Sequence, residues 1–262
     1  MYGLVGLRTH AKLMLVVRQE GTAVRRYAHI GTGNYNVATA SQYEDIAVFT
    51  ADPVVTADIA ELFNYLTGYS RQSQFRKLLV APTTLRWGIV SLIEDQASKP
   101  DGQIVIKVNN LVDPEVIDAL YRASQAGAKI DLIVRGICCL RPGVSGLSEG
   151  IRARSLVGHF LEHSRIFRFG DGADGQLFIG SSDLMPRNLD RRVEAVVPIS
   201  DPTPREHIEG FLQLELADDT LAWSLAGDGT WSKVPLGRGV NSQRLMQSAA
   251  IEVLAPDTEL AS

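Results

Sequence analysis

Two short stretches of the sequence carry the same set of reactive residue types. Each begins with a histidine followed two positions later by a cationic residue, His10 with Lys12 and His163 with Arg165. Side chains alternate along a strand, so a histidine and a cation at this spacing lie on the same face. Imidazole can attack phosphorus or transfer a proton near neutral pH, and a cation beside it can bind phosphate oxygens. The pattern predicts a site that handles a phosphoryl group.

Each histidine is followed by a turn of small residues and then by an acid. The turns are residues 31–34 (GTGN) and 180–183 (GSSD), and the acid, Asp45 or Glu194, lies 14 residues after the first glycine in both copies. A carboxylate returned by the following strand can orient an imidazole or a cation. We interpret the shared spacing as an internal duplication whose halves face each other. One histidine would be the nucleophile, and the other would handle the proton of the leaving oxygen.

Further polar residues are predicted to contact the substrate. These candidates are Asn34, Tyr43, Arg135, Arg191 and Arg192. Arg135 follows a predicted strand at residues 129–134, which places it at the carboxyl end of a parallel sheet, where ligands bind in open α/β folds. The adjacent Cys138 and Cys139 have neither the spacing of a zinc site nor that of a redox pair. No metal held by protein ligands is predicted.

Composition narrows the class of protein. The chain has 262 residues, of which 45% are hydrophobic and 21% charged, and its net charge is −4. This net negative charge excludes the broadly basic surface that is typical of nucleic-acid-binding proteins. No apolar run reaches the roughly 18–20 residues of a membrane helix, and the sequence shows no signal peptide. Its two cysteines are neighbours and cannot link distant segments by a disulfide. Together with the missing signal peptide and membrane helix, this predicts a cytoplasmic protein without a transmembrane segment. Membrane association as part of a complex remains an alternative.

The elements that would position these residues alternate between strand and helix. After a strand at residues 12–18, expected to be buried, the pattern predicts strands at 77–81, 103–108 and 129–134 with helices at 84–97 and 113–127 between them. Short links between such elements indicate a parallel sheet covered by helices. The predicted class is α/β, with mixed or parallel sheets flanked by helices. A polar stretch at residues 70–74 suggests two domains, 1–72 and 73–262. The chain enters its first motif almost at once, as expected of a piece of a larger protein.

Long segments of the sequence resemble the C-terminal part of polyphosphate kinases of the first class. The segments that carry this resemblance are GLRTHAKLMLVVR, YAHIGTGNYN, LVDPEVIDALYRASQAGAKIDLIVRGICCLRPGV, FLEHSRIF and MPRNLDRRVE. The resemblance extends from about residue 3 to residue 254. It implies a phospholipase D-like fold, with residues 1–72 as the remainder of the first C-terminal domain and 73–262 as the second.

The resemblance also implies an activity and assigns residues to it. The family transfers the terminal phosphate of ATP reversibly to inorganic polyphosphate through a phosphohistidine, with Mg²⁺ bound to ATP. Its phosphorylated histidine falls on His10 and its second active-site histidine on His163, a proton donor. Its nucleotide-contacting tyrosine falls on Tyr43 and its phosphate-contacting arginine on Arg135. The implied partners are ATP or ADP and polyphosphate, and family members form homo-oligomers.

Two alternatives remain open at this stage. One is a fragment without catalytic competence that binds polyphosphate. The other is a phospholipase D-like phosphodiesterase, whose motif continues from His-x-Lys to an aspartate a few residues on. Residues 13–18 supply no such aspartate.

Overall fold

The computed structural model describes residues 6–69 and 74–254. The strands are β1 Arg8–Thr9, β2 Lys12–Glu20, β3 Ala23–Gly31, β4 Tyr43–Glu44, β5 Ala47–Thr50, β6 Leu79–Ala81, β7 Gln103–Val108, β8 Lys129–Val134, β9 Ile151–Leu156, β10 Leu161–Glu162, β11 Ile166–Phe169, β12 Gln176–Gly180, β13 Arg192–Pro198, β14 Ala222–Leu225 and β15 Trp231–Lys233. The helices are α1 Val37–Ala40, α2 Pro53–Leu66, α3 Leu85–Ala97, α4 Pro114–Gln125, α5 Pro186–Arg191, α6 Pro202–Ala217 and α7 Ser242–Leu254, and a short 3₁₀ helix spans Gly172–Asp174.

One large mixed sheet forms the centre of the fold. Its strand order is β1-β13-β12-β11-β7-β8-β9-β14-β15, and β6 also pairs with β13. The predicted parallel arrangement holds for β7 and β8, which pair in parallel and continue in parallel into β9. β6 points in the same direction as β7, but it does not pair with β7; its partner is β13, to which it is antiparallel. The return strands β11, β12 and β13 lie between β6 and β7, so the mixed form of the predicted α/β class is confirmed.

Apolar residues cover both faces of this sheet. Successive side chains of its central strands point to opposite faces, and most of these side chains are apolar. On β7, Ile104 and Ile106 face one hydrophobic cluster, which includes residues of α3 and α4. Val105 faces a second cluster, which includes residues of α2 and α6. Burial of the central strands on both faces explains why QIVIKV is nearly all apolar. The one polar side chain in the middle of this strand is Lys107, which is 2% exposed.

Aspartates followed by proline begin three helices. Asp52 accepts hydrogen bonds from the backbone N–H groups of Val54 and Val55 at the start of α2. Asp113 accepts one from Val116 at the start of α4, and Asp201 caps α6 in the same way. These carboxylates satisfy N–H groups that have no partner within the helix.

The strand expected to be buried near the start of the chain is largely exposed. β2, β3 and β5 form a separate three-stranded antiparallel sheet with β2 at its edge. Met14, Val16 and Val17 of β2 are 51%, 49% and 58% exposed. Leu13 and Leu15 pack against the second hydrophobic cluster. An antiparallel sheet needs only one covered face, and the apolar run of five residues at 13–17 does not show which of its side chains are covered.

The predicted domain boundary falls in residues 70–74, and residues 70–73 lie outside the described residues. The division into residues 1–72 and 73–262 therefore stays a prediction. Segments from the two sides of this boundary nevertheless pair directly: β1 is parallel to β13, and β4 is parallel to β10. None of the helices within residues 6–69 and 74–254 has the length and apolar character required to cross a membrane.

Asp58 anchors the chain that leads into β6. Its carboxylate, which is 1% exposed, accepts hydrogen bonds from the backbone N–H groups of Arg76, Lys77 and Leu78 at 2.7–3.1 Å. Asp58→Ala would leave these donors without their acceptor, so we expect the free energy of unfolding to fall by about 3 kcal/mol. Urea denaturation measures this loss. The matched control is Glu61→Ala, and equal stability of the two variants would contradict the prediction.

Candidate active site

The two pairs of short strands bring the duplicated motifs together. In the β1–β13 pair, the backbone N–H of His10 donates to the carbonyl oxygen of Val193 at 2.9 Å. In the β4–β10 pair, the backbone N–H of His163 donates to the carbonyl oxygen of Glu44 at 3.1 Å. Each histidine therefore lies beside the segment that carries the acid of the other motif.

His10 is held by the acid of the second motif. Its Nδ1 lies 2.9 Å from Glu194 Oε2, and its side chain is 18% exposed, whereas that of Glu194 is fully buried. Glu194 also accepts hydrogen bonds from Ser181 Oγ and, at 2.8 Å, from Asn188 Nδ2. If Nδ1 carries the proton donated to this carboxylate, the lone pair of the neutral ring is on Nε2. The arrangement leaves Nε2 of His10 for reaction.

His163 is held by the acid of the first motif. Its Nδ1 lies 2.7 Å from Asp45 Oδ1, which also accepts a hydrogen bond of 2.7 Å from Thr32 Oγ1. Gly33 permits this approach, because a Cβ at that position would lie 2.1 Å from Asp45 Oδ2. Burial lowers the pKa of His163, and the positive charge of Arg165 acts in the same direction against the Asp45 carboxylate. A lowered pKa makes the protonated ring of His163 a stronger acid.

Each of the two imidazole–carboxylate pairs combines the histidine of one motif with the acid of the other. His10 and Glu194 are 184 residues apart, and His163 and Asp45 are 118 residues apart. The sequence predicts that these acids orient imidazoles, but equal spacing within each copy does not show that the partners are exchanged. The exchange makes one composite site from the two halves of the chain.

Two predicted cations lie inside this site. Lys12 is 5% exposed, and its Nζ donates to the carbonyl oxygen of His10 at 2.6 Å. Burial lowers the pKa of Lys12 to about 8, and the neighbouring Arg165 and Arg192 act in the same direction. Arg165 is 3% exposed, and its Nη1 lies 3.1–3.2 Å from both ring nitrogens of His163. Lys12 also has Glu194, Asp45 and Arg165 as charged neighbours, so positive charge is concentrated near both histidine–acid pairs.

Tyr43 and Arg135 lie on the His163 side of the site. The Tyr43 ring is 4.8 Å from the His163 ring, measured between centroids. Arg135 Nε donates to Asn109 Oδ1 at 3.2 Å, and burial lowers the pKa of Arg135, as does the charge of Arg165. These two predicted residues thus share the neighbourhood of His163 with a second guanidinium group.

The remaining predicted residues differ in where the structure places them. Arg192 is half-buried, with Nη1 3.9 Å from Glu194 Oε1, so it lies at the His10 side. Asn34 and Arg191 are exposed, and among the described residues neither side chain contacts the histidines or their acids through a hydrogen bond or ion pair. Their predicted roles as substrate contacts remain predictions.

Three residues of the predicted turns, Thr32, Ser181 and Asp183, have roles in the site that the sequence does not predict individually. Thr32 and Ser181 occupy the same position in the two turns, and each hydroxyl donates to the acid 13 residues later. That equivalence is visible in the sequence once the turns are aligned. Asp183 holds Arg165, with Oδ1 3.3 Å from Nε, and accepts the backbone N–H of Asn109 at 2.8 Å. Asp183 therefore supports Arg165 directly and Arg135 through Asn109.

One group of three potential metal ligands occurs among the residues that the structure describes. Glu44, Glu162 and Glu215 bring their carboxylates within 4.8 Å of one another. The Nζ of Lys107 hydrogen-bonds to all three and occupies the position that a cation would take. This donor set does not fit a resident metal ion.

Two family models match the chain. They are described as polyphosphate kinase C-terminal domain 1, over residues 1–72, and polyphosphate kinase C-terminal domain 2, over residues 78–245. The polyphosphate kinase of Streptomyces coelicolor is 54% identical over 238 residues, which cover 89% of this chain and 32% of that protein. The polyphosphate kinase of Synechocystis is 51% identical over 269 residues, covering 100% of this chain and 37% of that protein. The chain spans about a third of the length of the curated relatives it matches.

Solved structures show the same relationship. The crystal structure of polyphosphate kinase from Porphyromonas gingivalis matches with a TM-score of 0.90 and 36% identity, covering 97% of this chain and 40% of that chain. Phosphatidylserine synthase from Haemophilus influenzae, at 10% identity and a TM-score of 0.54, shares the fold alone and covers 87% of this chain and 67% of that chain. The predicted phospholipase D-like α/β fold is confirmed.

Proposed function

This chain belongs to the polyphosphate kinase family, and from that premise we propose that it transfers the terminal phosphate of ATP reversibly to inorganic polyphosphate through a phosphohistidine. The observation that supports this proposal most strongly is the pairing of His10 Nδ1 with the buried Glu194, which leaves Nε2 as the nucleophilic atom. The carboxylate also stabilises the positive ring that forms when Nε2 bonds to phosphorus.

In the proposed reaction, His10 Nε2 attacks the terminal phosphorus of ATP. The new N–P bond forms as the bond between phosphorus and the bridging oxygen of ADP breaks. His163 can hold a proton at Nε2 when its ring is charged, because Asp45 accepts the Nδ1 hydrogen bond. It gives this proton to the leaving oxygen, and its lowered pKa favours the transfer. A terminal oxygen of polyphosphate then attacks the phosphorus and releases His10.

The cations have separate tasks in this scheme. Lys12 and Arg165 lie near the histidine–acid pairs and bind the non-bridging oxygens of the transferred group, whose charge must be stabilised in the transition state. Arg135 and Tyr43, beside His163, contact the nucleotide. We propose that ATP enters from this side of the site.

We propose that the polyphosphate chain binds on the His10 side of the site. Arg8 and Arg192 are paired in the parallel register of β1 and β13, and Arg187 is a further positive neighbour of Arg192. Within the described residues, Arg8 and Arg187 have no carboxylate within salt-bridge distance. Uncompensated guanidinium groups beside the nucleophile suit an extended anion such as polyphosphate.

Magnesium enters this scheme as part of the substrate, bound to the phosphates of ATP. Asp45 and Glu194 are committed to the histidines, and the Glu44 group is occupied by Lys107, so no step is assigned to a protein-bound metal. We also propose a cytoplasmic location and association with further copies of the chain.

The proposal is tested by incubating the purified protein with ATP labelled at the terminal phosphate and Mg²⁺. The expected product is protein-bound phosphate that is labile in acid and stable in alkali. A folded protein that binds polyphosphate without becoming labelled would support the alternative of a binding fragment. Hydrolysis of a phosphodiester substrate without labelling would support the phosphodiesterase alternative.

The pKa of Lys12 sets an upper pH limit on the proposed reaction. Because burial lowers this pKa to about 8, Lys12 is cationic below pH 8 and loses its charge as the pH rises further. We expect the rate of phosphotransfer to fall as the pH rises through about 8. Lys12→Arg, which keeps its charge, should move this decline to higher pH. A decline at the same pH in both proteins would contradict the assignment to Lys12.

A further inference from the structure

A buried lysine surrounded by acids lies directly behind the candidate active site. Lys107 Nζ donates to Glu44 Oε2 at 3.0 Å, to Glu162 Oε2 at 2.6 Å and to Glu215. The side chains of Lys107, Glu162 and Glu215 are at most 2% exposed. The Phe211 ring covers the ammonium group, with Nζ 4.5 Å from its centroid. One ammonium group cannot neutralise three carboxylates, and unpaired charge is costly at such depth.

A bound proton would neutralise one of the three carboxylates, and Glu215 is the residue that can carry it. Glu215 Oε2 is buried and has no hydrogen-bond donor among the described residues. An oxygen without a donor is explained if it carries the proton itself and donates to the neighbouring Glu162. Burial raises the pKa of Glu215 well above its ordinary value. Although burial opposes it, the charge of Lys107 lowers the pKa of Glu162 to about 2, so Glu162 remains the charged acceptor.

The same lysine joins the two strands that immediately precede His163 and its acid, Asp45. β4 and β10 each have two residues, and a two-stranded sheet of this size is not stable by itself. Glu44 lies opposite Glu162 in the register of this pair, and both glutamates bind Lys107. The next residue along each segment, Asp45 or His163, forms the imidazole–carboxylate pair on the other side.

We propose that Lys107, with Glu44, Glu162 and a protonated Glu215, forms a buried clamp that positions His163 and Asp45 for phosphotransfer. The term clamp refers to these four residues, Lys107, Glu44, Glu162 and Glu215. The inference that this positioning serves phosphotransfer rests on the proposed function. The bound proton and the connection between β4 and β10 do not depend on it.

The surroundings of the clamp identify the group that titrates. Arg154 donates to the carbonyl oxygens at the end of α6 and not to the Glu215 carboxylate. Gln243 of α7 donates to Glu162 Oε1 at 2.7 Å, and Ser164 Oγ donates to Glu44 Oε2 at 2.8 Å. Arg135 is a further positive neighbour of Glu162. Burial also raises the pKa of Glu44, but Glu44 Oε2 accepts hydrogen bonds from Lys107 and Ser164, whereas Glu215 Oε2 has no donor among the described residues, so Glu215 is the member that holds the proton.

The sign of the pH effect follows from the raised pKa of Glu215. A carboxyl group that holds its proton more tightly in the folded protein stabilises the fold at low pH, and this contribution is lost as the pH rises through the folded-state value. Glu215→Gln keeps the shape of the protonated acid and a hydrogen-bond donor but cannot ionise. Its stability relative to the wild type should therefore increase as the pH rises from the ordinary pKa of a glutamate towards the raised folded-state value.

Infrared spectroscopy tests the proton without reference to activity. At neutral pH the wild-type protein should show the carbonyl stretching band of a neutral carboxylic acid, and Glu215→Gln should lack it. Glu206→Gln, at an exposed position of the same helix, is the matched control and should retain the band. Absence of the band from the folded wild-type protein, or its survival in Glu215→Gln, would overturn the proposed protonation.

Positioning is tested with Glu44→Ala, which detaches β4 from Lys107 while leaving His163 and Asp45 unchanged. We expect a folded variant whose phosphotransfer rate falls about 10- to 100-fold with little change in the apparent KM for ATP. The NMR signal of the His163 Nδ1 proton should shift in Glu44→Ala and not in Glu206→Gln. Lys107→Met provides a second variant that breaks the same connection.

A wild-type rate and an unchanged His163 signal in folded Glu44→Ala would overturn the clamp as a positioning device. If the wild-type protein transfers no phosphate, the proposed function fails, but the infrared band and the His163 signal can still be measured. If neither Glu44→Ala nor Lys107→Met folds, the shift of the His163 signal in Glu162→Gln decides the matter. An unchanged signal there also overturns the proposal.

Discussion

His10→Ala is expected to lower phosphate incorporation from ATP by at least about 1,000-fold. His10 Nε2 is the atom that forms the bond to phosphorus in the proposed reaction, and its Nδ1 contact with Glu194 fixes which nitrogen is available. Alanine removes the nucleophile but leaves the Glu194 contacts with Ser181 and Asn188. The loss should therefore appear in the rate and not in the fold.

Labelling with ATP that carries ³²P in its terminal phosphate measures the rate of phosphate incorporation. Circular dichroism shows whether the variant is folded. The matched control is His207→Ala, because His207 is exposed on α6 and lies outside the two histidine–acid pairs. The control should be labelled at the wild-type level. Normal labelling of folded His10→Ala would contradict the assignment of His10 as the nucleophile.

His163→Gln should have the second largest effect, a decrease of about 100- to 10,000-fold in the rate of phosphotransfer, which is typical of a lost general acid. Glutamine can still occupy the space beside Tyr43 and donate to Asp45, but it cannot give a proton to the leaving oxygen. Lys12 and Arg165 remain in place, so we expect polyphosphate to bind with nearly unchanged affinity.

A single-turnover measurement checks this prediction because it separates transfer from binding. His159→Gln is the matched control, since His159 is exposed and lies four residues earlier in the sequence. It should transfer phosphate at the wild-type rate. A variant at His163 that retains the wild-type rate would show that this residue does not act as the proton donor.

Much of the fold is predictable because the signals are local. Proline following Asp52 or Asp113 marks the start of a helix, and the alternation of strands and helices after residue 76 indicates an α/β fold. The position of β6 is not predictable in this way. Its three residues pair with a strand more than 100 positions later, and local spacing carries no information about that partner.

The residue types of the candidate site are also visible in the sequence, but their partnerships are not. The two acids follow their turns at equal spacing, which suggests that each serves its own copy. In the structure, Asp45 binds His163 and Glu194 binds His10, because β4 pairs with β10 and β1 pairs with β13. Contacts over 118 and 184 residues depend on strand pairing, which periodicity cannot reveal.

The partners of Lys107 in the clamp cannot be predicted from the sequence either. Lys107 interrupts an apolar strand, where a lone lysine gives no indication of its partners. Glu44 and Glu162 each precede a site residue, and their neighbours Asp45 and His163 supply the more obvious chemistry. Only the register of β4 with β10 shows that both glutamates face the same ammonium group.

In the proposed reaction, the exchange of acids between the two motifs makes His10 Nε2 the nucleophile. To test this, the protein is phosphorylated with ATP and digested in alkali, and the imidazole nitrogen of His10 that carries phosphate is identified. Because Nδ1 binds Glu194 at 2.9 Å, we expect phosphate on Nε2. Phosphate on Nδ1 of His10, or on a different residue, would contradict it.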